Sequence, residues 1–200
     1  MTDNSAFGEI FADAPLMAIL RGMGAARSLA VAARAWDLGI TAVEVPVQTA
    51  EDVEALRVVA DAARERGLLV GAGTVVTLEH VRQAKDAGAA FTVSPGFDVD
   101  IVRGSHEAGL PALPGVATAT EVQHALGEGL IWLKAFPASV LGAGWFPAMH
   151  GPFPQARFVA TGGMDSSNAR AFLDAGVRIV AVGSALDDET QLPALAALLG

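Results

Sequence analysis

The stretch "GEGLIWLKAFPAS", residues 127–139, contains the unit from which the chain is built. Gly129 closes a helical pattern, because glycine takes the left-handed conformation just past a helix end without a Cβ penalty. The apolar run "LIWLKAF" that follows is short and bounded by turn residues, as a buried parallel strand is. The same pairing recurs at "WDLG" (Gly39), "RERG" (Gly67), "DAG" (Gly88), "EAG" (Gly109) and "DAG" (Gly176). The runs after these glycines are "ITAVEV", "LLVGAG", "AAFTVS", "LPALPG" and "VRIVAVG". Successive glycines lie about 20 to 28 residues apart, except for 47 between Gly129 and Gly176. That gap has room for two units, and "RFVATGG" (157–163) supplies the extra strand. With "APLMAIL" (14–20) in front, the chain holds eight strand–helix units. Eight alternating units predict an α/β fold, a compact (β/α)8 TIM barrel, with residues 1–200 as one domain. A doubly wound open sheet is the competing architecture.

Composition narrows the function. The chain of 200 residues is 52% hydrophobic and 18% charged, which argues against disorder. Its formal net charge of −9 argues against nucleic-acid and membrane-surface partners, both of which are negative. It has no cysteine, which rules out disulfides and thiolate metal sites. The start "MTDNSAFGEIFADAP" has neither a basic nor an apolar leader region, and no run approaches the ~18 apolar residues of a membrane span. A soluble cytoplasmic protein is expected.

In a barrel, chemistry collects where strands run out into the following loops. The ends read Arg21 in "MAILRG", Glu44 in "AVEVPVQT", Thr74 in "GAGTV", Ser94 in "TVSPG", "LPGVATATE", Lys134, "TGG" (161–163) and "GS" (183–184). Small residues after the last two strands let a ligand approach backbone N–H groups, in the habitual phosphate position of this fold. Glycines also serve tight turns, but two such ends in succession favour a phosphate site.

Lys134 is one of only two lysines in the chain, and it stands in an apolar run. A buried ammonium costs several kcal/mol unless it is paired or loses its proton. Alternation places Trp132, Lys134 and Phe136 on one face of their strand, and Ala42, Glu44 and Pro46 on one face of theirs. If both faces point inward, Lys134 and Glu44 converge at the barrel mouth. A neutral amine there can attack a ketone to form a Schiff base, and a nearby carboxylate can move the protons.

These residues also resemble a family. "VEVPVQT", "GAGTV", "FTVSPGFD", "LPGVATATE", "LKAFPAS", "FVATGGM" and "VGSAL" are similar, in order from about residue 15 to 186, to the motifs of the 2-keto-3-deoxy-6-phosphogluconate aldolases. That family includes the 4-hydroxy-2-oxoglutarate and 2-keto-3-deoxy-6-phosphogalactonate aldolases. The resemblance implies a class I aldolase on a compact barrel, homotrimeric, with no metal and no cofactor, acting on a phosphorylated keto acid and releasing pyruvate. It implies Lys134 as Schiff-base lysine, Glu44 as acid/base, Thr74 at the pyruvyl carboxylate, and Gly162, Gly163 and Ser184 at the phosphate. One departure stands out: Gln48 occupies a position where many gluconate-cleaving members carry arginine. The galactonate branch also lacks that arginine, and Arg21 can supply a bidentate carboxylate clamp in its place.

The remaining features read as structural. His80, His106, His124 and His150 are scattered without ligand spacing, which disfavours a metal-dependent aldolase. Thr118 to Glu121 fits a capping box. Lys85 falls near a helix end, where a solvated cation belongs. Ser94 either lines the mouth or serves its own turn. Two readings of other classes stay open: an inert sugar-phosphate-binding barrel, which would not need Lys134, and a phosphosugar isomerase, which would need two acid/base groups and no Schiff-base lysine.

Overall fold

The computed structural model describes residues 4–12, 15–186, 188 and 190–199, so the alanine that opens "APLMAIL" lies outside the described residues. The strands are β1 (Leu16–Ile19), β2 (Ala42–Pro46), β3 (Val70–Gly73), β4 (Phe91–Val93), β5 (Ala112–Leu113), β6 (Gly115–Val116), β7 (Trp132–Ala135), β8 (Arg157–Thr161) and β9 (Ile179–Val182). All pair in parallel, in the order β5-β4-β3-β2-β1-β9-β8-β7-β6. The two ends of that row are consecutive in the chain, separated only by Pro114, so the sheet curls into a barrel there. The eight units expected from the sequence are present, with the fifth strand in two pieces. Proline has no N–H for the ladder, although the Pro114 carbonyl still accepts from the Lys134 N–H at 2.9 Å.

Helices α2 (Gly24–Asp37), α3 (Ala50–Glu65), α4 (Leu78–Asp86), α5 (Val99–Glu107) and α6 (Ala119–Gly127) follow the early strands. The later ones are followed by α7 (Ala138–Leu141), α8 (Trp145–His150), α9 (Ala169–Asp174), a 3-10 turn at Ser184–Leu186 and α10 (Leu192–Ala196). Side-chain caps start α3 to α6: Thr49, Thr77, Asp98 and Thr118 each accept from a first-turn N–H. Glu121 completes a capping box with Thr118, as its spacing predicted.

Strand alternation sorts side chains into two layers. Leu133 and Ala135 belong to the outer layer, the cluster that also holds Leu56, Val59 and Val122 of the helices. Trp132 points inward with Met17, Ile19, Ala42, Phe91, Val159 and Ile179. The short helix α1 (Phe7–Ile10) closes the N-terminal end of the barrel beneath this inner layer. The Phe7 and Phe11 rings stack at 5.4 Å, Phe7 meets Phe91 edge-on at 5.4 Å, and Phe11 lies 5.3 Å from Trp132. Each buried ring contributes roughly 1.5–3 kcal/mol.

Just before α1, the fully buried Asn4 bridges β5 and β7 beside the split. Its Nδ2 donates to the carbonyls of Ala112 (3.1 Å) and Trp132 (2.8 Å). Its Oδ1 accepts from the N–H groups of Ile131 (3.0 Å) and Trp132 (3.2 Å). One amide thus satisfies backbone groups of β5 and β7 where β5 gives way to β6 as the partner of β7. Buried backbone groups left unpaired cost about 1–3 kcal/mol each. Asn4→Ala is therefore expected to lower unfolding stability by about 3 kcal/mol in urea titration; a loss under about 1 kcal/mol would mean that the seam holds without it.

Candidate active site

Lys134 and Glu44 both face the barrel interior and are nearly sealed from solvent, at 2% and 0% exposure. Burial pushes the Lys134 ammonium below the ordinary lysine value; the Glu44 carboxylate opposes that shift and the Arg21 charge adds to it. The Phe136 ring centroid lies 5.3 Å from Lys134 Nζ. Neither carboxylate oxygen of Glu44 has a hydrogen-bond partner among the described residues. A carboxylate beside an amine but bonded to nothing is available to exchange protons with whatever joins them.

Gly73 makes room for this arrangement. A Cβ at that position would lie 1.9 Å from Glu44 Oε1 and 2.6 Å from its Cδ. The glycine of "GAGTV" is thus explained by close approach, not by turn chemistry.

The ends of the first three strands meet at the mouth. Arg21 donates through Nη1 to Gln48 Oε1 at 2.8 Å and through Nη2 to Thr74 Oγ1 at 3.4 Å. Thr74 has φ +56°, the one non-glycine residue with positive φ among those described. That conformation costs a β-branched residue of order 1–3 kcal/mol and is typical of residues held for a function. Gln48 thus presents an amide that holds Arg21 in place.

The seventh and eighth units meet as the sequence predicted. Gly162, Gly163, Gly183 and Ser184 line one cavity of about 570 Å³, with Arg21 and Phe136 on its wall. Gly162 (φ +98°) and Gly163 (φ +71°) take conformations that exclude a side chain, and a Cβ on Gly163 would fall 2.4 Å from Ser139 Oγ. Two more polar residues of this cavity had no individual role in the sequence analysis, although Thr161 stands in its "TGG" end. Thr161 continues the inward face after Val159, is 3% exposed, and its hydroxyl has no partner among the described residues; that alternation was the available signal. Asp165 also lines the cavity, its carboxyl held below the usual range by hydrogen bonds from the Ser167 hydroxyl (2.6 Å) and N–H (2.8 Å).

Other candidates bond to backbone groups close by. The Ser94 hydroxyl donates to the Gly96 carbonyl at 2.8 Å, within its own turn. His80 accepts from the Val76 N–H, His106 from the Ala112 N–H, and His150 contacts the Ala156 carbonyl. Among the described residues, no group of three or more His, Cys, Asp or Glu could hold a metal ion.

The family described as "Aldolase: KDPG and KHG aldolase" matches residues 8–196. The chain belongs to that family. Among its relatives, the 2-dehydro-3-deoxy-phosphogluconate aldolase of Treponema pallidum is 39% identical over 146 residues, 72% of this chain and 68% of the relative. A probable 2-dehydro-3-deoxy-6-phosphogalactonate aldolase of Rhizobium meliloti is 34% identical over 173 residues, 86% of this chain and 81% of the relative. The crystal structure of KDPG aldolase from Legionella pneumophila, with pyruvate captured as a covalent carbinolamine, superposes with a TM-score of 0.84. It is 30% identical, and the match covers 96% of this chain and 95% of that one. The KDPG and KHG aldolases are lyases of the class I kind, and this chain is one of them.

If the fit of Gly73 around Glu44 is what places the carboxylate, Gly73→Ala should destabilise the chain by about 2 kcal/mol. Glu44→Ala in the same chain should restore at least half of that loss, read as coupling in a double-mutant cycle. Additive effects would show that the crowding is relieved elsewhere.

Proposed function

We propose that this aldolase cleaves a 2-keto-3-deoxy-6-phospho sugar acid, of the gluconate or galactonate series, to pyruvate and glyceraldehyde 3-phosphate. Lys134 is the nucleophile and Glu44 the proton carrier. The observation that carries this reading is the burial of Lys134 beside a Glu44 whose carboxylate oxygens have no hydrogen-bond partner among the described residues.

The Lys134 amine adds to the C2 ketone, and the carbinolamine loses water with a proton supplied by Glu44. The resulting protonated imine is the electron sink. Glu44, directly or through a water, takes the C4 hydroxyl proton as the C3–C4 bond breaks. The electron pair of that bond flows into the imine to give an enamine, and the aldehyde departs. Protonation at C3 and hydrolysis then release pyruvate and the free amine. Arg21, held by Gln48 and Thr74, is set to receive the keto acid's carboxylate through a planar fork. Gly162, Gly163 and Ser184 provide backbone and hydroxyl donors for the phosphate, and Thr161 adds a buried hydroxyl. Fixing both ends of the substrate positions the bond to be cut. The setting we propose is one barrel domain assembled as a homotrimer in the cytoplasm, on the strength of the family resemblance. Light scattering should then give three times the 20.4 kDa chain.

Borohydride reduction in the presence of pyruvate tests the chemistry. A pyruvyl adduct is expected on the peptide carrying Lys134 and not on that carrying the exposed Lys85; a folded protein that gives no adduct would sink the mechanism. The neutral amine attacks, and burial lowers its pKa. Trapping should therefore speed up with rising pH and level off below 10.5, the ordinary lysine value. An inflection at 10.5 or above would mean that the reactive amine is not the buried one. Glu44→Gln is expected to lower kcat by about 10²–10⁴, and Gln48→Ala to raise KM several-fold with kcat little changed. Cleavage assays on the two epimers decide between the series.

A further inference from the structure

The opposite end of the barrel carries a second concentration of charge. The chain has eleven arginines within a net charge of −9. Arg57, Arg64, Arg66, Arg82, Arg103 and Arg170 are paired with carboxylates. Arg21 is held by Gln48 and Thr74, and Arg27 and Arg34 are engaged by other groups. Arg157 and Arg178 differ: among the described residues neither meets a carboxylate. They are also neighbours. Arg157 opens β8, Arg178 immediately precedes β9, and the Arg178 N–H donates to the Phe158 carbonyl at 3.0 Å.

Both arginines line two cavities at the N-terminal mouth of the barrel, of about 620 and 380 Å³. The larger also receives His150 and the apolar side chains of Leu173 and Val177. The smaller runs over Phe11 and Trp132, and the Arg157 guanidinium stands 5.5 Å from the Trp132 ring. Two like charges sharing a wall repel, and in so acidic a chain carboxylates to neutralise them were abundant. A planar guanidinium is shaped for bidentate contact with phosphate, and stacking on an indole keeps its edge N–H groups free to make it. The apolar walls suit the body of a small organic molecule.

We propose that this mouth is a second anion site, in which Arg157 and Arg178 together bind a phosphate-bearing small molecule. It lies at the end of the barrel away from the Gly162–Ser184 cavity and shares no lining residue with it. Trp132 is its natural reporter, being stacked under Arg157.

The test is titration of pyrophosphate, at constant ionic strength, into a full-length chain whose only tryptophan is Trp132 (Trp36→Phe, Trp145→Phe). The expected result is a saturable change in emission. Its affinity should fall at least about tenfold in Arg157→Gln/Arg178→Gln, the loss of one or two charge-assisted contacts. Ser184→Asp, which blocks the active-site phosphate cavity, should leave it unchanged. A response abolished by Ser184→Asp, or no saturable response from a chain that circular dichroism shows to be folded, overturns the proposal. If the tryptophan replacements do not fold, calorimetry with pyrophosphate on the otherwise unchanged chain decides. The arginine double variant must remove one binding event per chain, and an unchanged stoichiometry overturns the proposal.

Discussion

The burial of the Lys134 amine beside Glu44 is the constraint around which the rest of this structure is arranged. An ammonium removed from water is costly, and here a single carboxylate opposes the cost without bonding to it. The folded chain releases the Lys134 proton at lower pH than the unfolded chain does. Between those two values the unfolded state holds more protons, so stability rises with pH across that window. Below the folded-state value the penalty stands in full. A chain selected only for stability would place an apolar residue there, so the lysine marks a site kept for chemistry.

That constraint propagates into the packing. The Glu44 carboxylate reaches the interior only because Gly73 on the next strand has no side chain. Lys134 takes its strand position from a ladder that runs through the Pro114 carbonyl, at the point where the fifth strand breaks in two. A barrel with a broken strand needs another group to satisfy the exposed backbone, and Asn4 does so from the segment before α1. Phe7 and Phe11 then fill the floor beneath Trp132, which keeps water from the amine from below. The site at the top and the plug at the bottom are thus two halves of one requirement, a dry barrel interior.

The mouth divides its work by charge. Arg21 is the one cation on the wall of the phosphate-end cavity, and it is turned toward Gln48 and Thr74. The glycine-lined end relies on backbone N–H groups and the Ser184 hydroxyl, with the Asp165 carboxylate close by. In the reading proposed here the keto acid's carboxylate meets a full positive charge, while the phosphate meets only dipoles. In that reading a substrate with two anionic ends is held without crowding cations around a lysine that must lose its proton.

How much of this was legible in the sequence depended on whether a feature is local. Glycine after each helix and the apolar run behind it are set by backbone sterics, so the eight units, the Thr118–Glu121 cap and the solvated Lys85 could be read directly. Alternation, also local, put Lys134 and Glu44 on the correct faces. The sequence could not show that Gly73 yields space to Glu44, that Gln48 and Thr74 hold Arg21, or that Ser94 turns into its own loop. Those depend on which strands become neighbours. Nor could it show Asn4 at the seam, because a hydrogen bond spanning 128 residues leaves no periodic trace. Arg157 and Arg178, which meet no carboxylate among the described residues, acquire meaning only when the barrel gathers its strand ends. The sequence by itself determined which elements form and which way their side chains point. Only the tertiary structure decided what those side chains meet, because closure of the barrel brings together groups that chain order keeps apart.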